Sequence, residues 1–216
     1  MEPTEENIRA WEDLHRRRAE SATGDPWLPP PVRHALADLT GKRVLVTQCG
    51  TGESAAQLGE LGATVTGVDS SAAMLAIARE RWPRILWIEG EPQLLPRELR
   101  RGRFDLVYAG WNLQWIDDLD AWAKGAAAAL GEDGDLLLFD DHPSANAVDG
   151  LMHWREDYFK EELQPRRWRI GQIVTSVAAA GLTIRALQEY PQRPGNPRHH
   201  DARIPGTFLL HAQRRS

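Results

Sequence analysis

Residues 44–55 read V-L-V-T-Q-C-G-T-G-E-S-A. An apolar run enters a turn holding Gly50 and Gly52, and a helical stretch follows. Glycines let backbone approach a ligand closely, and the first N–H groups of a helix point at it. A second apolar run ends at Asp69 in G-V-D-S-S, 19 residues after Gly50. A carboxylate there can accept both hydroxyls of a ribose. Together these features indicate a nucleoside-containing ligand at the C-terminal edge of a sheet. They do not choose which, because Gly50-x-Gly52-x-x-Ala55 also fits a relaxed dinucleotide fingerprint. A plainer reading is a tight turn that needs glycine, with Asp69 capping the helix that starts near Ser71.

Residues of this kind work only when elements hold them in place. Apolar runs at 43–47, 63–68, 85–88, 104–108 and 135–139 alternate with helical patterns at 53–61, 71–82 and 118–130. A less regular piece lies at 92–101. Near-continuous apolar strands alternating with helices imply a parallel sheet covered on both faces, and right-handed crossovers make it doubly wound. Helices are expected before the sheet, at 4–22 and 31–39. After residue 140 the rhythm breaks. A helix is expected near 150–162 and another at 170–180, followed by strands at 182–189 and 206–213. The chain therefore reads as one domain in four parts. They are an N-terminal helical cover (1–39), a ligand-binding core (40–140), a lid insertion (141–169) and a closing helix and hairpin (170–216).

Composition narrows the function. The 216 residues carry 26 Lys+Arg against 31 Asp+Glu, a formal net charge of −5, with one cysteine and nine tryptophans. That length suits one domain without covalent staples. One cysteine excludes an internal disulfide framework and any multi-cysteine metal site. No stretch reaches the roughly 18 apolar residues of a membrane span, and the N-terminus lacks a secretory pattern. A cytoplasmic protein is expected, and the mild acidity speaks against an extended nucleic-acid surface. The Arg-rich pieces at 16–18, 97–103 and 166–169 read as solvated faces. His199-His200-Asp201 sits on a proline-rich loop, so no metal is expected.

Further motifs choose among the nucleoside ligands. Gly90-Glu91-Pro92-Gln93-Leu94-Leu95-Pro96 follows the third run, and Phe104-Asp105-Leu106-Val107 opens the fourth. Leu113-Gln114-Trp115-Ile116-Asp117-Asp118 comes next, then Asp133-Gly134-Asp135-Leu136-Leu137-Leu138 and Asp141-His142-Pro143. In these motifs the chain resembles the class I S-adenosylmethionine-dependent methyltransferases, of small-molecule bacterial type, over about residues 40–140. The resemblance implies a Rossmann-like α/β fold with a seven-stranded sheet in the order 3-2-1-4-5-7-6 and an antiparallel strand 7. The cofactor it implies is S-adenosylmethionine. Two positions depart from the family's first turn. Val46 stands where the family has an acidic residue, and Gln48 stands where it has the first glycine.

The resemblance also distributes roles. Gln48, Cys49, Gly50 and Gly52 flank the methionine moiety and Asp69 holds the ribose. Ser70 and Met74 border the adenine, and Glu91 faces its amino group. The strand-four exit, Ala109-Gly110-Trp111-Asn112, passes near the sulfonium, where the indole face of Trp111 attracts a cation. Methyl transfer depends mainly on positioning, which can supply roughly 7–11 kcal/mol. A general base adds about 10²–10⁴-fold, and His142 is the candidate for one. Trp11, Trp27, Trp154, Tyr158 and Trp168 are expected in an aromatic roof suited to a small acceptor. The expected partner is a small molecule, with no nucleic acid and no membrane, and the protein a monomer or homodimer. A non-catalytic binder of the same ligand, a nucleic-acid methyltransferase and a nicotinamide-dependent reductase are the alternatives. The closing hairpin argues against the last.

Overall fold

A computed structural model describes residues 28–145, 168–191 and 204–215. Seven strands form one sheet in the order β3-β2-β1-β4-β5-β7-β6. They are β1 (Arg43–Thr47), β2 (Thr64–Asp69), β3 (Leu86–Glu89), β4 (Phe104–Gly110), β5 (Leu130–Asp141), β6 (Leu182–Pro191) and β7 (Pro205–Arg214). The pairs among β1 to β5 are parallel, whereas β7 runs antiparallel to both β5 and β6. This is the predicted Rossmann-like α/β sheet. Among the described residues five α-helices flank it: α1 (Pro30–Ala35), α2 (Glu53–Glu60), α3 (Ala72–Arg81), α4 (Leu119–Ala129) and α5 (Ile170–Ala179). None of the described helices is long and apolar enough to cross a membrane.

Strand alternation builds two cores. Leu45, Val107, Ala109, Leu136, Leu138 and Phe208 bury one face against α4 and α5, around the fully buried Trp122. Val44, Val46, Leu106, Tyr108, Leu137 and Phe139 bury the other against α1, α2 and α3. Central strands buried on both sides explain their nearly unbroken apolar sequences.

Two elements differ from expectation, and the piece at 92–101 is irregular as expected. Helix α1 stops at Ala35 rather than at 39. Leu36 turns extended, and the Asp38 carboxylate accepts the Thr40 N–H at 2.9 Å, a local turn that competes with helix. Residues 92–101 form turns, with Pro92 and Pro96 withholding backbone donors while Leu95 and Leu99 stay buried. Strand β5 begins at Leu130, directly after α4, and its register against β4 shifts between Phe104 and Leu106. The helices expected at 4–22 and 150–162 lie outside the described residues, as do Trp11, Trp27, Trp154 and Tyr158. Trp168 is described. Its indole donates to the Ile116 carbonyl at 2.9 Å, and its ring packs on the α4–α5 core. Arg97, Arg100, Arg101 and Arg103 are exposed.

One packing arrangement ties the sheet to the glycine turn. Gly67 of β2 pairs with Trp87 of β3. A Cβ on Gly67 would lie 2.3 Å from the Trp87 ring and 2.9 Å from the Cys49 sulfur. The same ring lies beneath Gly52. Replacing Gly67 by Ala should therefore cost about 1–3 kcal/mol through overpacking. The control is Gly171→Ala in α5, where a Cβ would meet no atom within 4 Å. Urea unfolding midpoints should fall for Gly67→Ala and hold or rise for Gly171→Ala. Equal midpoints would refute the packing argument.

Candidate cofactor and active site

In the order 3-2-1-4-5, the crossovers from β1 leave on opposite sides. A crevice opens at the C-terminal tips of β1 and β4, where ligands settle in open α/β sheets. The turn after β1 forms one wall. Gln48, Gly50 and Gly52 all have positive φ, of 49°, 55° and 92°. A Cβ on Gly50 would meet no atom of the described residues within 4 Å, so among them this backbone faces open space. Gly52 is different, because a Cβ there would lie 2.5 Å from Trp87 and 2.9 Å from Trp82. Its lack of a side chain makes room for the two indoles. Left-handed backbone costs a residue with a Cβ about 1–2 kcal/mol, so Gln48 is strained where glycine would not be.

Asp69 stitches this turn to β2. One carboxylate oxygen accepts the Gly50 N–H at 2.8 Å and the other the Ser71 N–H at 2.9 Å. It thus serves the turn and the start of α3 together, and each oxygen keeps a lone pair for a ligand. Burial pushes its pKa up, with the backbone donors opposing. Ser71 caps α3 by accepting from Met74 at 3.3 Å. Met74 is buried just beyond, and Ser70 is exposed. Cys49 is buried, and loss of solvent raises its thiol well above the usual range, with the Asp69 charge adding to the effect. It is a neutral packing group.

The first turn of α2 carries its own anion. Glu53 is buried, accepts the Thr51 hydroxyl at 2.6 and 2.8 Å, and pairs with Arg81 at 2.8 Å. A dinucleotide needs that helix end for its pyrophosphate. Here a carboxylate stands beside it, which suits a nucleoside ligand without phosphate.

The exit of β4 forms the opposite wall. Trp111 has φ 59°, donates its N–H to the Phe139 carbonyl at 3.0 Å, and sets its ring edge-on to Phe139 with centroids 4.9 Å apart. The Asp140 carboxylate accepts the N–H groups of Asn112 and Leu113 at 2.8 and 2.9 Å. The Asn112 side chain donates across the crevice to the Thr47 carbonyl at 3.3 Å. A Cβ on Gly110 would fall 2.4 Å from the Tyr108 hydroxyl, so the phenol occupies that space. Four buried polar atoms around these tips have no hydrogen-bond partner among the described residues: Thr47 Oγ1, Gln48 Oε1, Tyr108 Oη and Asn112 Oδ1. Buried polar groups are nearly always satisfied, so such a cluster is what a polar ligand would complete.

His142 follows β5. Its backbone N–H bonds to the Gly206 carbonyl at 2.9 Å. Nδ1 accepts the Ser144 N–H at 3.2 Å and lies 2.6 Å from the Ser144 hydroxyl, which leaves the ring proton on Nε2. Nε2 sits 2.8 Å from Glu189 Oε1, off the line of a good hydrogen bond. Burial lowers the imidazole pKa and the Glu189 charge partly restores it. Glu91 is exposed on the turn after β3, bridged to Leu94, while the nearby Gln93 buries an Oε1 with no partner among the described residues. The sites at 153 and 199–201 lie outside the described residues. Tyr108, Asp140, Glu53 and Gln93 were given no role by sequence, and Asn112 was placed only as the last residue of the strand-four exit. Asp140 had one legible signal, since period two places it on the face of Leu136 and Leu138.

Comparison with known proteins agrees with this geometry. A profile described as a methyltransferase domain matches residues 44–134. The demethylmenaquinone methyltransferase of Chlorobaculum tepidum is 30% identical over 170 residues, 77% of this chain and 67% of that one. Its counterpart in Chlorobaculum parvum is 35% identical over 170 residues, 77% of this chain and 68% of its own length. An S-adenosylmethionine-dependent methyltransferase structure from Mesorhizobium loti superposes with a TM-score of 0.71 at 24% identity, covering 86% of this chain and 96% of that one.

Asp140 gives the site a pH signature. Burial raises its pKa to about 7 despite the backbone donors, against about 3.9 in an unfolded chain. Between those values the folded state holds a proton that the unfolded state has released. Stability should therefore fall as pH rises from about 4 to 7, by at most about 1.4 kcal/mol per unit, and level off above. Asp140→Asn removes this slope. Urea midpoints at pH 5 to 8 should show wild type losing ground to the variant up to pH 7 and none beyond. A pH-independent difference would refute the assignment.

Proposed function

The chain belongs to the class I S-adenosylmethionine-dependent methyltransferases, and on that premise we propose that it methylates a small-molecule acceptor held above the tips of β4 and β5. One observation carries the reading: the open Gly50 backbone, hydrogen-bonded to Asp69, faces a crevice ringed by unsatisfied buried polar atoms. Bound S-adenosylmethionine supplies a methyl group activated by a sulfonium, which an acceptor displaces in line.

The residues divide the work along the sheet edge. Asp69 takes the ribose hydroxyls at the end of β2. Ser70, Met74 and Glu91 border the adenine on the β3 side, joined there by Gln93. Gln48, Cys49, Gly50 and Gly52 line the methionine side, and Gly110 and Trp111 lie toward the sulfonium. Trp111 and the exposed Trp115 offer aromatic surface to the acceptor. The named relatives act on a demethylmenaquinone, which supports a small, partly apolar acceptor here. A cytoplasmic monomer or homodimer with no nucleic-acid partner completes the reading. His142 is the base for an acceptor that must lose a proton. Its lowered pKa keeps the ring neutral near pH 7, Nδ1 can draw a proton through the Ser144 hydroxyl, and Glu189 would balance the imidazolium.

S-adenosylhomocysteine should raise the melting temperature of the wild type, and Asp69→Asn should weaken its binding about 10–100-fold. An unmoved wild-type melting temperature at millimolar ligand would sink the reading. Once labelled methyl transfer to an acceptor is detected, His142→Ala should lower kcat about 10²–10⁴-fold with cofactor-product affinity unchanged. Retained kcat would reduce His142 to a tie between β5 and the hairpin.

A further inference from the structure

Val46 leaves the methionine end of the crevice without the carboxylate expected there. It pairs across the ladder with Tyr108, and both are almost fully buried. An acid at 46 would add a second charge near Asp140, which already raises the Tyr108 pKa alongside burial. The cationic amine of the cofactor must then find acceptors elsewhere.

The crevice supplies two. Asn112 is 1% exposed, and its side-chain nitrogen donates to the Thr47 carbonyl. That bond fixes which end of the amide is oxygen, because the reverse orientation would set oxygen against oxygen. Oδ1 therefore sits beside the Thr47–Gln48 peptide, buried and without a partner among the described residues. Gln48 Oε1, at the next residue along the chain, is also buried with no described partner. With the ribose at the end of β2, the ligand's other end reaches the tips of β1 and β4, two strand spacings or about 10 Å away. Two amide oxygens without partners among the described residues, at the tips of neighbouring strands, can both accept from an ammonium group.

Building on the cofactor reading above, we infer that Gln48 and Asn112 together receive the α-ammonium of the cofactor, replacing the strand-one acid with two neutral amide oxygens. This gives the strain at Gln48 a purpose. A glycine would relieve the left-handed backbone but would remove one of the two acceptors.

The test is calorimetric titration with S-adenosylhomocysteine and with its analogue bearing hydrogen in place of the α-amine. Wild type should prefer the amine by about 10–100-fold. Gln48→Gly should melt about 2–4 °C higher, as strain is relieved, yet bind S-adenosylhomocysteine about tenfold more weakly and bind the analogue unchanged. Gln48→Glu should restore or exceed wild-type preference. Asn112→Ala loses its Thr47 bond and melts lower, so it is judged by the amine preference alone, which should drop. Equal wild-type affinity for both ligands, or unchanged preference in Gln48→Gly and Asn112→Ala, would overturn the inference while leaving the cofactor site intact. Failure of wild type to bind S-adenosylhomocysteine at all would overturn the site as well.

Discussion

The Asp140 carboxylate is the constraint on which the crevice depends. It sits at the end of β5 and captures two consecutive N–H groups, of Asn112 and Leu113. That capture turns the chain sharply as it leaves β4. Trp111, one residue earlier, is thereby forced left-handed and pressed against Phe139. Asn112 is swung across to the carbonyl at the end of β1. A neutral side chain could accept both bonds, but a charged one accepts them more strongly. The cost is a buried anion, visible in its raised pKa. The sheet therefore holds its switch point open with a group that is itself only partly stable in charged form.

The other wall is fixed by bulk rather than charge. Two tryptophans from the α3–β3 segment fill the space that Gly52 and Gly67 leave. Trp87 also donates its indole N–H to the Trp82 backbone carbonyl at 3.1 Å, which ties its ring to the end of α3. The turn rests on this aromatic floor, while Asp69 holds it from the side. Gly50 alone among the turn glycines faces open space. The glycines of one motif thus have two physical jobs: Gly50 admits a ligand and Gly52 admits the protein's own core.

Much of this was legible in the sequence. Every expected sheet strand lies within a few residues of its predicted position, and the central ones were plainest because strands buried on both faces have no polar alternation to blur them. Asp69 was legible because it ends an apolar run at a fixed distance from the glycines. The length of α1 was not, since Asp38 prefers a side-chain turn that periodicity does not register. The 92–101 stretch has helical spacing in Leu95 and Leu99, yet Pro92 and Pro96 overrule it. The bonds of Asn112 and Asp140 were not legible for a deeper reason. Each matters through long-range partners, Asn112 through Thr47 at 65 residues and Asp140 through Asn112 and Leu113 at 28 and 27, and no local pattern encodes such partners.

The two strained residues flanking the crevice are not equivalent. Trp111 recovers its left-handed cost through a backbone hydrogen bond and an aromatic contact, so its conformation is explained within the fold. Gln48 makes no comparable side-chain bond among the described residues, and its amide oxygen is buried without a partner. A position that would be relaxed as glycine, and gains nothing from its side chain in folding, is destabilising by about 1–2 kcal/mol. Strain of that kind persists at sites where the side chain acts on something outside the chain. The Asp140 clamp holds Asn112 against the Thr47 carbonyl, one residue from Gln48. The fold thus spends stability at both walls to keep two amide oxygens at neighbouring strand tips, where the ligand's positive end is expected to lie.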